Sequence, residues 1–511
     1  MNENSRTENS ARNLAMSFIQ KIVSIALIFI SRQIFLQVLT VEYLGINGLF
    51  ANILSMLSLA DLGLFTAMSF SFYKPLSDRD EDKLAALVGF YRKIYIYIAA
   101  FIAATGLALT PFLKFIINLE NDIPYIEIYY LIALANAVVS YLFIYRAIII
   151  TADQNGSIVN NYAMWTSILK LLIQIAVLLV WGSFMAFCLV SFFTTLLNNI
   201  LISKKAGAMY PFVKKRAALD TTDKKSIFAN IRSMFIYKIA SVVFTGTDNI
   251  FISVLIGTAV VGKYENYSLA VTNMNGIAFM AFATLTPSIG NLIAREPPEK
   301  RMRIFDIMQT VSYWLGGFFV FCLFFLLDDF VVLWLGTGFT FDIYIKIAVL
   351  IQFYLNITLY PVFAFREATG IYQKTKYVMV AAALIKIVLS ILFGLKWGLA
   401  GILLAPTVAK LVTYAWYEPK VLFRDYLSGR LLKYFLGHVK NLCLFSACIT
   451  AVYFIYPRQL NGGWPVWISM GAVCTLLINA VYYVKYRKTP EFQVVLNKTS
   501  GIIKQTFKTP K

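Results

Sequence analysis

The sequence is poor in charge and in cysteine. Only 14% of its 511 residues are charged, whereas soluble domains average about 25%, and 59% are hydrophobic. A water-soluble protein of this composition would lack the polar surface needed to cover itself, and a disordered chain would be far less hydrophobic. Five cysteines, all in apolar runs, provide no disulfide framework. These shortages exclude soluble enzymes, disordered chains and disulfide scaffolds.

Motifs for metal binding and catalysis are missing as well. The single histidine, His438, stands at the start of an apolar run, where an interfacial polar residue is expected. No His, Cys or Asp cluster has metal-ligand spacing, and no glycine-rich loop precedes a basic helix. The largest predicted external segment, 328–342, is too short to carry the carboxylates of a glycan-assembling enzyme. We therefore predict no catalytic residues, no metal, no cofactor and no enzymatic activity.

Long hydrophobic runs dominate the chain instead. A helix that crosses the bilayer core needs about 20 mostly apolar residues. The predicted spans are 13–38, 44–72, 88–113, 125–150, 159–181, 183–203, 230–256, 264–291, 304–327, 343–365, 376–395, 398–418, 438–456 and 465–484. The polar N-terminus and the length of the first run argue against a cleaved signal peptide, so the first helix is expected to stay.

The basic residues alternate in a way that sets the orientation. With the N-terminus inside, about three quarters of the 46 Lys and Arg residues fall on inside segments. The outside segments carry only Lys114, Lys263, Lys396 and Arg458. This asymmetry predicts an even number of spans with both termini in the cytoplasm. It also explains the net charge of +20 by topology and by contact with membrane lipids, without nucleic acid as a partner.

An internal repeat organises the first twelve spans. Lys21 and Gly45 recur as Lys238 and Gly262 at one common offset along the chain, and Lys170 recurs as Lys386 at nearly the same offset. Because each copy would hold six spans, both copies point the same way. The sequence therefore predicts an all-α polytopic membrane protein of about 14 transmembrane helices, as two parallel six-helix repeats plus two C-terminal helices.

The predicted organisation follows from these boundaries. It comprises an N-terminal six-helix lobe 1–203, a basic cytoplasmic linker 204–229, a C-terminal six-helix lobe 230–418, a cytoplasmic loop 419–437, two additional transmembrane helices 438–484 and a basic cytoplasmic tail 485–511. Two similar halves can rock around a site between them, which is typical of transporters. Pro287, Pro361 and Pro406 are expected to kink their spans.

Several cations lie within the predicted spans. Arg146, Lys346 and Lys410 are close enough to span ends to snorkel to the interface. Five others should face the protein interior or water, because a charge at the bilayer centre costs about 2.5–3.5 kcal/mol. These predicted substrate-binding residues are Lys21, Arg32, Lys170, Lys238 and Lys386. Since few intramembrane acids are available to pair with them, we interpret them as a cationic cavity for a phosphate or diphosphate group. The alternative is that they are paired or hydrated structural charges.

Two intramembrane acids are candidates for ion coupling. Asp61 precedes Gly63 within the second span, and Asp248 lies within the seventh. Either carboxylate could carry H+ or Na+, or could simply hydrogen-bond a neighbouring helix.

The chain resembles a known family in these same segments. The first helix opens with Asn13-Leu14 and carries Lys21 and Arg32, and it is followed by VEYLGINGLFANILSMLSLADLGLFTAM at 41–68 and TDNIFISVLIGTAVVGKYENYSLAV at 247–271. These features are similar to bacterial polysaccharide-export flippases, the O-antigen or capsule repeat-unit translocases of the multidrug/oligosaccharidyl-lipid/polysaccharide exporter superfamily. The resemblance covers about residues 10–485.

The resemblance implies a two-lobed flippase in the bacterial cytoplasmic (inner) membrane. It would move an undecaprenyl-diphosphate-linked oligosaccharide to the outer leaflet for lipopolysaccharide, capsule or exopolysaccharide synthesis, with other polysaccharide-assembly membrane proteins as possible partners. The cationic residues named above would receive the diphosphate and sugars. The alternatives are a drug or organic-cation antiporter of the same superfamily, which would favour an acidic cavity, a membrane enzyme of glycan assembly, and a scaffold without transport.

Overall fold

The computed structural model describes residues 22–57, 64–119, 122–153, 155–215, 219–220, 235–283, 286–455 and 462–494. All regular structure among these residues is helical, and they include no strand. The chain divides into two compact units, unit 1 at residues 1–262 and unit 2 at residues 263–511. The predicted all-α fold is thus confirmed.

Unit 1 is a bundle of apolar helices. Its helices are α1 Ile22–Val38, α2 Val41–Leu57, α3 Leu64–Asp78, α4 Glu81–Leu109, α5 Leu113–Ile116, α6 Ile126–Leu142, α7 Ile144–Ala152, α8 Gly156–Trp181, α9 Phe184–Met209 and α10 Phe235–Leu255. Local capping fixes the start of α4, where the Asp80 carboxylate accepts a hydrogen bond from the Lys83 amide at 2.9 Å. The core of the unit is built around buried aromatic rings such as Tyr91, Tyr95 and Tyr130.

Unit 2 repeats the pattern and adds two helices. Its helices are α11 Thr258–Ala283, whose first residues belong to unit 1, α12 Thr286–Arg295, α13 Pro298–Leu335, α14 Ile343–Thr358, α15 Tyr360–Thr369, α16 Tyr372–Val412, α17 Tyr414–Asp425, α18 Leu431–Tyr453 and α19 Gly463–Tyr486. The additional helix α19 packs on α13 so closely that a Cβ at Gly317 would overlap the Tyr482 hydroxyl.

Equivalent helix breaks occur at equivalent positions of the two repeats. The α8–α9 turn uses Gly182 at φ +58°, and α16 turns at Gly398 with φ +60°, at the matching position of the second repeat. Likewise, α6 and α7 meet at Phe143 with a bend of 41°, and α14 and α15 meet at the matching Leu359 with a bend of 43°. Pro361 stands in the first turn of α15, so the predicted proline kink is confirmed. These matched breaks support the repeat that the sequence predicts.

Many of the described helices are long and apolar enough to cross a membrane. By length and composition eight qualify, or ten if each bent pair counts as one span. Where they are described, all fourteen predicted stretches are largely helical, but the count of fourteen spans is not confirmed. Large apolar side chains such as Val180, Leu395 and Leu476 are exposed on these helices, which fits a protein whose outer surface meets lipid.

Candidate functional site

The structure distributes the predicted site residues over both units. Arg32 on α1, Lys170 on α8, and Lys238 and Asp248 on α10 belong to unit 1, whereas Lys386 on α16 belongs to unit 2. Lys21 and Asp61 lie outside the described residues. That the five cations share one chamber therefore stays a prediction.

Most of these charges have interaction partners. Arg32, Lys238, Lys386 and Asp248 each take part in a polar, ring or electrostatic contact, and Lys386 is completely buried. Lys170 differs, because it forms no ion pair or hydrogen bond with any described residue. It is therefore the described candidate that fits an uncompensated cation best.

Lys170 belongs to a polar stripe on α8 that faces α9. The Thr166 hydroxyl lies 3.1 Å from Asn198 Oδ1, and Gln174 Nε2 donates to Ser191 Oγ at 2.9 Å. Because Lys170 is four positions from each, it shares their helix face. The outer members of this stripe, Thr166 and Gln174, bind the neighbouring helix α9 and are structural.

Two cations expected to snorkel are buried and bonded instead. Lys346 Nζ lies 2.6 Å from Asp328 Oδ2 and donates to the Phe324 carbonyl at 3.0 Å. Lys410 Nζ donates to Asn356 Oδ1 at 2.6 Å and is 5% exposed. The expectation that these two reach the interface was wrong, because polar partners on neighbouring helices hold them inside unit 2.

The structure also contains two paired carboxylates, the buried Glu418 and the partly buried Asp328, that the sequence analysis missed. Glu418 on α17 is completely buried and accepts two hydrogen bonds from Arg366 Nη1 on α15, at 3.1 and 3.3 Å. Asp328 pairs with Lys346 and also accepts a hydrogen bond from the Tyr267 hydroxyl at 2.6 Å. Both acids stand at span ends, next to predicted loops, where burial is hard to foresee. Their presence weakens the argument that intramembrane cations outnumber their partners.

A second described cation in a predicted span lacks an acidic partner. Arg146, just after the α6–α7 break, donates from Nη1 to Ser203 Oγ at 2.6 Å and to the Ser203 carbonyl at 3.4 Å. No described carboxylate pairs with it. Hydrogen bonds to neutral groups on α9 therefore hold this guanidinium in place of an ion pair.

Two glycines related by the repeat allow backbones to touch within unit 1. A Cβ at Gly45 on α2 would lie 2.0 Å from the Thr258 carbonyl oxygen, and one at Gly262 would lie 2.1 Å from the Val41 carbonyl oxygen. Val41 and Thr258 are related to each other by the same offset as the two glycines. The contact between α2 and the first turn of α11 is therefore symmetric, and only glycine fits at both positions.

Hydrogen bonds reinforce this contact on the side predicted to be external. The Thr258 amide donates to the Asn118 carbonyl at 2.8 Å, and the Asn118 amide donates to Thr258 Oγ1 at 3.1 Å. Ser253 Oγ donates to the Ile116 carbonyl at 2.7 Å and lies 2.8 Å from Thr258 Oγ1. Hydrogen bonds thus hold the end of α10 and the residues after it against the end of α5.

Unit 2 contains a large apolar groove. It has a volume of about 790 Å³ and lies between α14, α18 and the α16–α17 junction. Its walls are almost entirely hydrophobic, with Ile347, Leu355, Trp416, Leu442 and Phe454 among them. A groove of this size fits the usual range of ligand sites, and its lining suits an apolar ligand.

Within the described residues, no group of three His, Cys, Asp or Glu side chains is placed to hold a metal ion. The five cysteines are free and are not paired with one another.

The fold is shared with known transporters. A lipid II flippase, MurJ, in an inward-closed conformation aligns with a TM-score of 0.65 at 14% identity, covering 94% of this chain and 100% of that chain. An inward-facing multidrug resistance MATE transporter of the MOP superfamily aligns at 0.57 and 16% identity, covering 78% and 93%. A MATE structure in a bent conformation aligns at 0.52 and 14% identity, covering 84% and 95%.

No protein-family model and no curated protein matches the sequence. The chain therefore has the fold of the MOP-superfamily transporters, and at these identities the likeness is one of fold alone.

Proposed function

We propose that the protein is a flippase that moves an undecaprenyl-diphosphate-linked oligosaccharide repeat unit across the bacterial cytoplasmic membrane, for synthesis of a cell-surface polysaccharide. Both termini would lie in the cytoplasm, and transport would proceed by alternating access. The shared fold is that of a transporter, and the lipid-linked substrate is what we propose in addition. One of the structures that share the fold is named for the flipping of lipid II, which is a lipid-linked substrate.

The observation that carries the proposal is the apolar groove of unit 2. Its wall on one side is α18, which lies outside the twelve-span repeat. A hydrophobic drug would need only a compact pocket, whereas a polyprenyl chain needs an extended apolar surface that is reached from the bilayer. The proposal places the chain in this groove and the diphosphate beside the cations, because a phosphate group in a low-dielectric site needs positive partners.

The symmetric contact between α2 and α11 supports alternating access. It joins the two repeats on the predicted external side through backbone atoms and hydrogen bonds. In the proposed cycle this contact closes the outer side while the site is open inward, and it parts when the site opens outward. Asp248 and Asp61 are retained as proposed carriers of H+ or Na+.

Filling the groove should block transport of a lipid-linked substrate. Ser446 lines the groove on α18, whereas the adjacent Ala447 does not. We expect Ser446→Trp to lower flipping of a lipid-linked oligosaccharide in proteoliposomes at least tenfold, because the indole takes the space of the chain. Ala447→Trp, which adds a similar bulk at an exposed position outside the groove lining, should retain near-normal flipping. Equal flipping by both variants would remove the groove from the proposal, and ethidium export by the wild type would favour a drug antiporter.

Removal of the unpaired Lys170 charge should lower transport without lowering the stability of the protein. A half-buried ammonium without an acidic partner costs folding free energy, so Lys170→Met should leave the melting temperature unchanged or raise it. If the ammonium binds the diphosphate, the same variant should lose most of its flipping activity, whereas Lys170→Arg should retain it. Proteoliposome flipping and thermal unfolding in detergent measure the two effects. Normal flipping by Lys170→Met would make Lys170 a structural residue only.

A further inference from the structure

A small cavity in unit 1 brings two cations together at one end of the bundle. It has a volume of about 530 Å³ and is lined by Phe143, Arg146, Ile200, Ser203, Lys204, Gly207 and Ala208. Residues 200, 203–204 and 207–208 are spaced by one turn each, so a single face of α9 forms one wall. The α6–α7 break supplies the other wall, because Phe143 stands at the bend and Arg146 follows in the first turn of α7.

The donors of Arg146 are only partly satisfied. A guanidinium group carries five N–H donors, and here only Nη1 has an acceptor, at Ser203. Nε is buried and has no hydrogen-bond partner among the described residues. Lys204 is exposed and likewise forms no hydrogen bond or ion pair in the described part of the chain. Two positive groups thus line one cavity without a carboxylate.

The acid that stands nearest along α7 is engaged elsewhere. Asp153, which ends α7, accepts hydrogen bonds from the Tyr210 hydroxyl at 2.7 Å and from Asn155 Nδ2 at 3.1 Å. Burial and the Asp153 carboxylate raise the pKa of Tyr210, so the phenol keeps its proton and continues to donate. The positive charge of the cavity is therefore left for an external anion.

We propose that this cavity is a binding site for the phosphate headgroup of an anionic phospholipid. Its volume exceeds what a bare phosphate ion fills and lies within the range of sites for small organic ligands. Arg146 and Lys204 both stand at span ends that the sequence places on the cytoplasmic side, at the level where lipid headgroups lie. Basic pockets between transmembrane helices on that side are typical binding places for phosphorylated headgroups. The site is separate from the transport site proposed above and does not depend on it.

Binding of defined lipids to the purified full-length protein tests the proposal. Native mass spectrometry in detergent would compare phosphatidylglycerol, phosphatidylcholine and inorganic diphosphate at matched concentrations. We expect the wild type to bind phosphatidylglycerol about tenfold more tightly than either alternative. Arg146→Gln and Lys204→Gln should each weaken binding about tenfold, because each removes one charged contact to phosphate. Lys205→Gln removes the same charge at the next position, outside the cavity lining, and should bind normally.

A steric variant tests the cavity without changing charge. A Cβ at Gly207 would meet no atom within 4 Å, so Gly207→Leu fits α9 and fills the cavity while both cations remain. We expect it to weaken phosphatidylglycerol binding as strongly as Lys204→Gln. If Arg146→Gln fails to fold because it loses Ser203, Lys204→Gln and Gly207→Leu decide the question, since neither touches that contact.

Three results would overturn the proposal. Equal binding of phosphatidylglycerol and phosphatidylcholine would remove the preference for an anionic headgroup. Wild-type binding by both Lys204→Gln and Gly207→Leu would place the lipid elsewhere. Binding of inorganic diphosphate as tight as that of phosphatidylglycerol would assign the cavity to a soluble anion. Because the assay measures lipid binding and not transport, none of these results bears on the proposed flippase activity.

Discussion

Replacement of Gly45 by alanine should open the symmetric contact between α2 and α11. The added Cβ would lie 2.0 Å from the Thr258 carbonyl oxygen, a backbone atom that cannot rotate away as a side chain could. Overpacking of this kind costs about 1–3 kcal/mol, which lowers the population of the closed contact by roughly five- to 150-fold. We expect faster amide hydrogen exchange in residues 41–48 and 258–262, and a loss of most flipping activity.

The repeat provides a second variant with the same expected result. Gly262→Ala places its Cβ 2.1 Å from the Val41 carbonyl oxygen, so it should raise exchange in the same two segments. Gly276→Ala is the matched control, because a Cβ there would meet no atom within 4 Å and lies on the same helix, α11. If Gly45→Ala exchanges and transports like Gly276→Ala, the contact has no part in the cycle.

The pair of Gly45 and Gly262 shows which parts of the fold can be predicted from the sequence and which cannot. The sequence identifies Gly45 and Gly262 as equivalent because both copies retain them at one offset. It also places the α8–α9 turn at Gly182, since a helix C-terminus followed by a left-handed residue favours glycine. That the two glycines touch each other's repeat depends on how α2 and α11 cross, which no local pattern encodes.

The bend at Phe143 could not be predicted in the same way. The matching bend near Leu359 can be predicted from Pro361, because proline cannot donate a helical hydrogen bond. No proline or glycine stands at 142–144, and yet α6 and α7 are bent by 41° there. Tertiary packing, including the Arg146–Ser203 hydrogen bond just beyond the break, accompanies this bend. The cavity beside it was accordingly absent from the sequence analysis.

Charge pairing was the least predictable feature of the candidate site. Counting intramembrane cations and acids along the chain favours an uncompensated positive cavity, but Lys346 and Lys410 both find partners on other helices. Asp328 stands at the end of a predicted span, and its pairing with Lys346 depends on how α13 and α14 pack together. Among the five cations predicted to bind substrate, Lys170 is the described residue that forms no ion pair or hydrogen bond with the described part of the chain.

The buried pair of Arg366 and Glu418 should have the largest effect on stability. Glu418→Gln leaves the Arg366 guanidinium, whose side chain is only 12% exposed, without its buried counter-charge. Breaking a buried ion pair on one side costs about 3–5 kcal/mol. We expect thermal unfolding in detergent to show a melting temperature many degrees below that of the wild type. Glu367→Gln is the control, because Glu367 contacts the same guanidinium at 3.3 Å but is 45% exposed, and exposed pairs contribute about 0–1 kcal/mol.

A double substitution then distinguishes a structural carboxylate from an ion carrier. Replacing both partners by apolar residues of similar volume, as in Arg366→Met with Glu418→Leu, removes the unpaired charge and should recover most of the lost stability. If Glu418 serves packing alone, this double variant should also recover flipping, because no step then needs the acid. Recovery of the melting temperature without recovery of flipping would show that transport requires the charged pair itself, as an ion carrier would, whereas a low melting temperature in the double variant would contradict the account of a buried ion pair.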